Sequence, residues 1–237
     1  MTGAPEVVVV PDGIALADAA AERVEELAIA ATPQRPATIA LAGGSTPKSM
    51  YQHLGSRCLP FVRMRLFFGD ERCVPPDDPG SNYRMVREAL LVRTGFPEGL
   101  VHRIPGELPP QEGADAAERD LRAAFPGQDP PRLDMVLLGL GPDGHTASLF
   151  PGAPELAITD RWMVPVHRPE MPQPWRVSMT LAVLCAAGRV LFVADDPEKA
   201  EVVARAIAGD PELPAGLVRP TDGMLTFIIT ERTATAL

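Results

Sequence analysis

A chain of 237 residues, 46% of them hydrophobic, carries enough apolar side chain to bury a sizeable core, which argues against disorder. Its formal net charge of −9 argues against duplex nucleic acid or an anionic membrane surface as the main partner, because both reward a basic face. Cys58, Cys73 and Cys185 lie too far apart for a CxxC pair or metal-ligand spacing, so neither a disulfide scaffold nor a zinc site is expected.

The N-terminal stretch MTGAPEVVVVPDG has no basic region and only a four-residue valine run, too short for a signal peptide or a membrane span. Cytoplasm is the expected compartment. Val7–Val10 reads as a strand, and Asp12-Gly13 as a turn into a helix whose Leu16, Ala20, Val24, Leu27 and Ala31 make one apolar face. Thr38–Ala42 is a second strand, stopped by Gly43-Gly44, and Pro47 suits the first turn of the next helix. Arg65–Phe68 is a third strand that runs into a polar, proline-rich loop. Ser81 is placed to cap a helix carrying Met85, Val86, Ala89 and Leu90.

Beyond a Pro- and Gly-rich connection, Ala114–Phe125 reads as helix and Leu133–Leu138 as the strongest buried strand, followed by a glycine-rich turn. A strand at Arg189–Val193, a helix over Pro197–Ala208 and a strand at Leu225–Ile229 complete the alternation. Such alternation predicts an α/β fold: a doubly wound, mostly parallel sheet with helices on both faces, Rossmann-like and three-layered. With no internal repeat and no long linker, residues 1–237 are expected to form a single domain.

Ligands of doubly wound sheets bind at the carboxyl ends of the strands, and three polar motifs follow strands here. The first is Ala42-Gly43-Gly44-Ser45-Thr46-Pro47. Its glycines allow close backbone approach, its hydroxyls donate, and the following helix offers unpaired N–H groups to a phosphate. Lys48 lacks the preceding glycine spacing of a Walker loop. The second motif, Phe67-Phe68-Gly69-Asp70-Glu71-Arg72, leads to Ser81-Asn82-Tyr83. Asp70 is a candidate to accept a proton or orient another group, and Arg72 offers a planar fork to a phosphate or an oxyanion. The third runs from Leu138 to Gly152, LGLGPDGHTASLFPG, and puts His145 after a glycine turn, where an imidazole can transfer protons near working pH. No HExxH is present, and no G-x-S-x-G elbow surrounds Ser148, so neither a metal centre nor a serine nucleophile is expected.

Together, AGGSTP, FFGDERCVPPDDPGSNY and LGLGPDGHTASLFPG resemble the 6-phosphogluconolactonase family, which is related to the glucosamine-6-phosphate deaminases. The deaminases carry Asn before the Gly-His pair and an Ile-Ala-Phe-Asn-Glu-Pro run after it. Asp143 and Thr146–Pro151 here fit the lactonase branch instead. The segment from Asp195 to Ala200 resembles the family's Gly-x-x-Lys-Ala turn without its glycine, and the final strand lacks the Trp and Asp that often follow in the family. The resemblance implies hydrolysis of 6-phospho-D-glucono-1,5-lactone, a step of the oxidative pentose phosphate pathway, with no cofactor. It also implies His145 as general base, Asp70 orienting water or imidazole, and Arg72 or N–H groups around Gly144 holding the oxyanion. Gly43, Gly44, Ser45, Thr46, Arg72, Arg176 and Lys199 are then the phosphate ligands; Arg176 is included because Trp175-Arg176-Val177-Ser178 resembles the family's Arg-x-Thr strand. Only Lys48 and Lys199 among 22 basic residues are lysines, and both fall in motif segments. A sugar-phosphate lactone is the expected partner, with no nucleic acid or membrane, the chain being a monomer or weak homodimer. The alternatives are a deaminase-isomerase acting on an amino sugar phosphate, and a non-catalytic sugar-phosphate-binding domain.

Overall fold

The apolar runs pair into one six-stranded sheet in the computed structural model, which describes residues 3–237. Met1 and Thr2, at the head of the N-terminal stretch, lie outside the described residues. In chain order the strands are β1 (Glu6–Val10), β2 (Ala37–Leu41), β3 (Met64–Phe68), β4 (Asp70–Arg72), β5 (Met135–Leu138), β6 (Met163–His167), β7 (Trp175–Met179), β8 (Arg189–Ala194) and β9 (Met224–Thr230). The large sheet has the order β1-β9-β8-β5-β2-β3, with every neighbouring pair parallel. β4, β7 and β6 make a second, antiparallel sheet.

Helix α1 (Gly13–Ala30) starts where Asp12 accepts hydrogen bonds from the Ile14 and Ala15 N–H groups, each at 2.9 Å. Its buried stripe of Leu16, Ala20, Val24 and Ala28 packs onto the sheet. Helix α2 (Ser45–Leu54) follows β2 and packs on α1. Helix α3 (Asn82–Val86), capped by Ser81 as its hydroxyl suggests, passes through a π-helical turn (Arg87–Leu91) into α4 (Val92–Thr94). Helices α5 (Pro110–Ala124), α6 (Leu181–Ala186), α7 (Ala200–Ala208) and α8 (Pro214–Leu217) complete the chain. Right-handed crossovers put the β1–β2 and β2–β3 connections on one face and those between β5, β8 and β9 on the other. The three-layered, doubly wound α/β class is thus the one observed. The chain winds outwards from β2 towards β3 and from β5 towards β8, so β2 and β5 flank the topological switch point.

Two readings need correction. The segment after β3 is not a loop from the outset. At Gly69, whose N–H bonds to Leu41 O and whose carbonyl accepts from the Met179 N–H, the chain leaves the large sheet and enters the small one as β4. The helix expected over Pro197–Ala208 begins as a 3-10 turn (Pro197–Lys199), and α7 starts only at Ala200. β1, found where the valine run predicts a strand, lies at the edge of the large sheet, with Val9 48% exposed.

Candidate active site

A cleft of about 250 Å³ opens at the switch point, between the loops that follow β2 and β5. It is lined by Gly43, Gly44, Ser45, Thr46, Asp70, Arg72, His145, Arg176 and Lys199, so the structure brings the candidate catalytic and phosphate-binding side chains to one place, while Gly144 does not line it. The large sheet supplies the β2 and β5 loops, and the small sheet supplies β4 and β7.

The β2 loop is shaped for backbone contact. Gly44 is the N-cap of α2 with φ +107°, a conformation open to glycine, and no side chain caps the helix. The first N–H groups of α2 therefore remain for a ligand, at the positive end of the helix dipole. A Cβ at Gly43 would collide with the Asn82 side-chain amide.

On the β5 loop, His145 Nδ1 lies 2.5 Å from Asp143 Oδ1, and the same oxygen accepts from the His145 N–H at 3.1 Å. Burial works to raise the Asp143 carboxyl, but the His145 N–H and imidazole outweigh it and hold Asp143 below its usual value. The imidazole stacks on Phe150 with centroids 4.6 Å apart, and a Cβ on Gly141 would strike the ring. Nε2 is left as the imidazole's second functional nitrogen. The acid that holds the ring is thus Asp143, a residue read from the sequence only as a mark of the lactonase branch. Asp70 instead accepts from Ser148 Oγ at 2.5 Å and from Asn82 Nδ2 at 3.2 Å. The Gly144 N–H is taken by Gly141 O at 3.0 Å, so Gly144 itself has no donor left for an oxyanion.

Arg72 on β4 and Arg176 on β7 stand opposite each other in the antiparallel register. Arg72 Nη1 donates to Gly80 O at 2.6 Å and Arg176 Nε to Gln173 O at 3.4 Å. Among the described residues neither guanidinium has a carboxylate in an ion pair, and Arg72 Nε is the one buried side-chain polar atom without a partner. Burial and the neighbouring Arg72 charge hold Arg176 below the usual arginine value, with Asp70 pulling the other way. Between Asp70 and Arg72 on β4, Glu71 turns out of the cleft. It accepts from Ser81 Oγ and from the N–H groups of Arg72, Asn82 and Tyr83, which anchors the start of α3, and burial raises its carboxyl above the usual range. Among the described residues no group of three His, Cys, Asp or Glu side chains is placed to hold a metal ion, and no helix is long and apolar enough to cross a membrane.

Fold and cleft together define a protein of the doubly wound α/β class with a polar cleft, carrying an imidazole and two guanidinium groups, at the switch point of its sheet. The sequence model of the "Glucosamine-6-phosphate isomerases/6-phosphogluconolactonase" family matches residues 11–227. A 6-phosphogluconolactonase of Homo sapiens is 40% identical over 206 residues, covering 84% of this chain and 80% of the relative. One of Synechocystis is 36% identical over 201 residues, covering 82% of each. Among solved structures, the 6-phosphogluconolactonase of Trypanosoma brucei superposes with a TM-score of 0.89 at 32% identity over the full length of both chains. A monomeric glucosamine-6-phosphate deaminase at 20% identity, with a TM-score of 0.83, shares the fold. The chain belongs to the glucosamine-6-phosphate isomerase/6-phosphogluconolactonase family. It is a carboxylic ester hydrolase of that family.

Proposed function

We propose that this chain hydrolyses 6-phospho-D-glucono-1,5-lactone to 6-phospho-D-gluconate, in the cytoplasm, as a single domain and without a metal. The observation that carries the reading is the division of the cleft. A histidine oriented by a carboxylate faces two guanidinium groups that have no acid of their own.

In this reading Asp143 holds the Nδ1–H of His145, and Nε2 takes a proton from water as the water attacks the lactone carbonyl. The imidazolium then returns that proton to the ring oxygen as the C–O bond breaks. The immediate products are a hydroxyl and a carboxylic acid, which releases water's second proton to solvent to become the carboxylate, so every atom is accounted for. Arg72, with its buried Nε unpartnered, is the donor for the developing oxyanion or for the phosphate. Arg176, Lys199 and the Gly43–Thr46 turn hold the phosphate. An acidic chain thereby gains a local positive field, focused in a cleft where Asp70 is the one acidic lining residue among those described.

The deciding experiment is a lactonase assay on freshly prepared phosphorylated lactone, corrected for spontaneous opening. Turnover well above that background is expected; a rate equal to it removes the proposal.

A further inference from the structure

Asp70 sits beside Arg72 and Arg176 in the cleft yet pairs with neither. In a poorly solvated site an unrestrained carboxylate would close onto such guanidinium groups and form charge-assisted hydrogen bonds. Both of its oxygens are instead held by neutral donors: Oδ2 by Ser148 Oγ at 2.5 Å and Oδ1 by Asn82 Nδ2 at 3.2 Å. Asp70, Asn82 and Ser148 are each at most 5% exposed, so water does not compete for these bonds.

Ser148 is itself fixed. Its N–H donates to Ser178 Oγ at 3.2 Å, and it occupies a two-residue turn closed by Thr146 and Leu149, which exchange backbone hydrogen bonds. The turn forces Ala147 to φ +48°, the one non-glycine residue among those described with a positive φ. Strain of this kind persists where surrounding contacts over-determine it. The His145 loop has separate supports, since Thr146 Oγ1 donates to Gly139 O and the Ala215 N–H donates to Gly144 O.

We propose that Ser148 is a positioning residue that restrains the Asp70 carboxylate from pairing with Arg72 and Arg176, which keeps both guanidinium groups open to the substrate's phosphate. Without the hydroxyl, Asp70 swings onto the arginines and competes with the ligand. The inference rests on the cleft being a phosphate-ester site, and its first readout, phosphate binding, does not depend on turnover.

The probe is inorganic phosphate, titrated calorimetrically into the wild type, Ser148→Ala, Asp70→Asn and the double variant. Ser148→Ala is expected to weaken phosphate binding by about tenfold or more, the scale of one lost charge-assisted contact. KM for the phosphorylated lactone rises in parallel, and the loss in kcat/KM is smaller for unphosphorylated gluconolactone, which has no phosphate to lose. On the Asp70→Asn background, where no charged carboxylate remains to swing, Ser148→Ala has no further effect. Equal losses on both lactones, an additive double variant or unchanged phosphate affinity would each overturn the proposal. If Ser148→Ala fails to fold, Ser148→Cys keeps the shape with a weaker donor: a smaller loss of phosphate affinity supports the proposal and none overturns it. A wild type that binds phosphate but leaves the lactone unopened removes the lactonase reading alone; phosphate affinity indifferent to the Ser148 hydroxyl, with turnover intact, removes this one alone.

Discussion

Arg72 and Arg176 occupy directly opposed positions on β4 and β7, two like charges side by side in one ladder with no acid among the described residues paired to either. Like charges placed this way weaken a sheet, so the pair is retained against its own local cost. An anionic ligand removes that repulsion. A phosphate is unchanged by ester hydrolysis, so contacts to it bind ground and transition states alike and their loss falls on KM. Arg176→Ala should raise KM by roughly 10- to 150-fold, the equivalent of 1.5–3 kcal/mol, and reduce the preference for phosphorylated over unphosphorylated lactone. Arg72→Ala should follow it if Arg72 touches only the phosphate, and should depress kcat if Arg72 holds the oxyanion. Steady-state kinetics on both lactones decide. A wild-type KM and intact preference in Arg176→Ala would show the phosphate site to be misplaced.

His145→Ala should lower kcat by about 10²-fold or more with the fold retained. Asp143→Asn leaves the imidazole in place but replaces its negative partner, and should also lower kcat, by less than removal of the ring. Circular dichroism checks the fold and initial rates check the chemistry. A folded His145→Ala enzyme with near-normal kcat takes His145 out of the mechanism.

Prolonged dialysis against a chelator should leave the rate unchanged, since no cluster of three acidic, thiol or imidazole side chains is found among the described residues. Loss of activity restored by one divalent ion would contradict this expectation.

Incubation with glucosamine 6-phosphate should release no ammonia. Asp143 and the Ser148-Leu149-Phe150 run stand where the deaminases have other residues, and both oxygens of Asp70 are already engaged. Ammonia at a rate comparable to lactone opening would reverse the branch assignment.

Acid stability has a separate focus at Glu118. It accepts from Arg122, Arg161 and the N–H groups of Trp162 and Met163, and so ties α5 to the edge strand β6. Burial works to raise its carboxyl, but these donors, the arginines foremost, bring it below the usual value. A carboxyl lowered on folding stabilises above its unfolded pKa, and that stability is lost as pH falls through the folded value. Glu118→Gln should therefore lower Tm at neutral pH, by the equivalent of about 1.5–3 kcal/mol. The gap to wild type should narrow as the pH drops below the ordinary glutamate range, about 4.3. Thermal melts between neutral and strongly acidic pH test this; a gap constant across the range would refute it.

The large sheet was legible because its strands are continuous apolar runs and its helices have clear periodicity, as in Leu16, Ala20 and Val24. The small sheet was not. β4 is the tripeptide Asp-Glu-Arg, β6 carries Pro165 at its centre, and neither shows the alternation that marks a strand. The cleft residues could be collected because each motif follows a strand of the large sheet. Their partners could not: Ser148 and Asp70 are 78 positions apart, and nothing in the local pattern of either announces the other. Asp143 was two residues from His145 and was still missed as its partner, because an Asp before a glycine also reads as an ordinary turn.

The passage of the chain from one sheet to the other at Gly69 has a mechanical result. The imidazole hangs from the large sheet while the two arginines ride on the small one, so a ligand that grips both acts as a removable cross-link between them. At a hundredfold excess over its Kd such a ligand adds about 2.7 kcal/mol to the folded state. That gain is shared by two sheets with separate hydrogen-bond ladders, and it ends when the ligand departs.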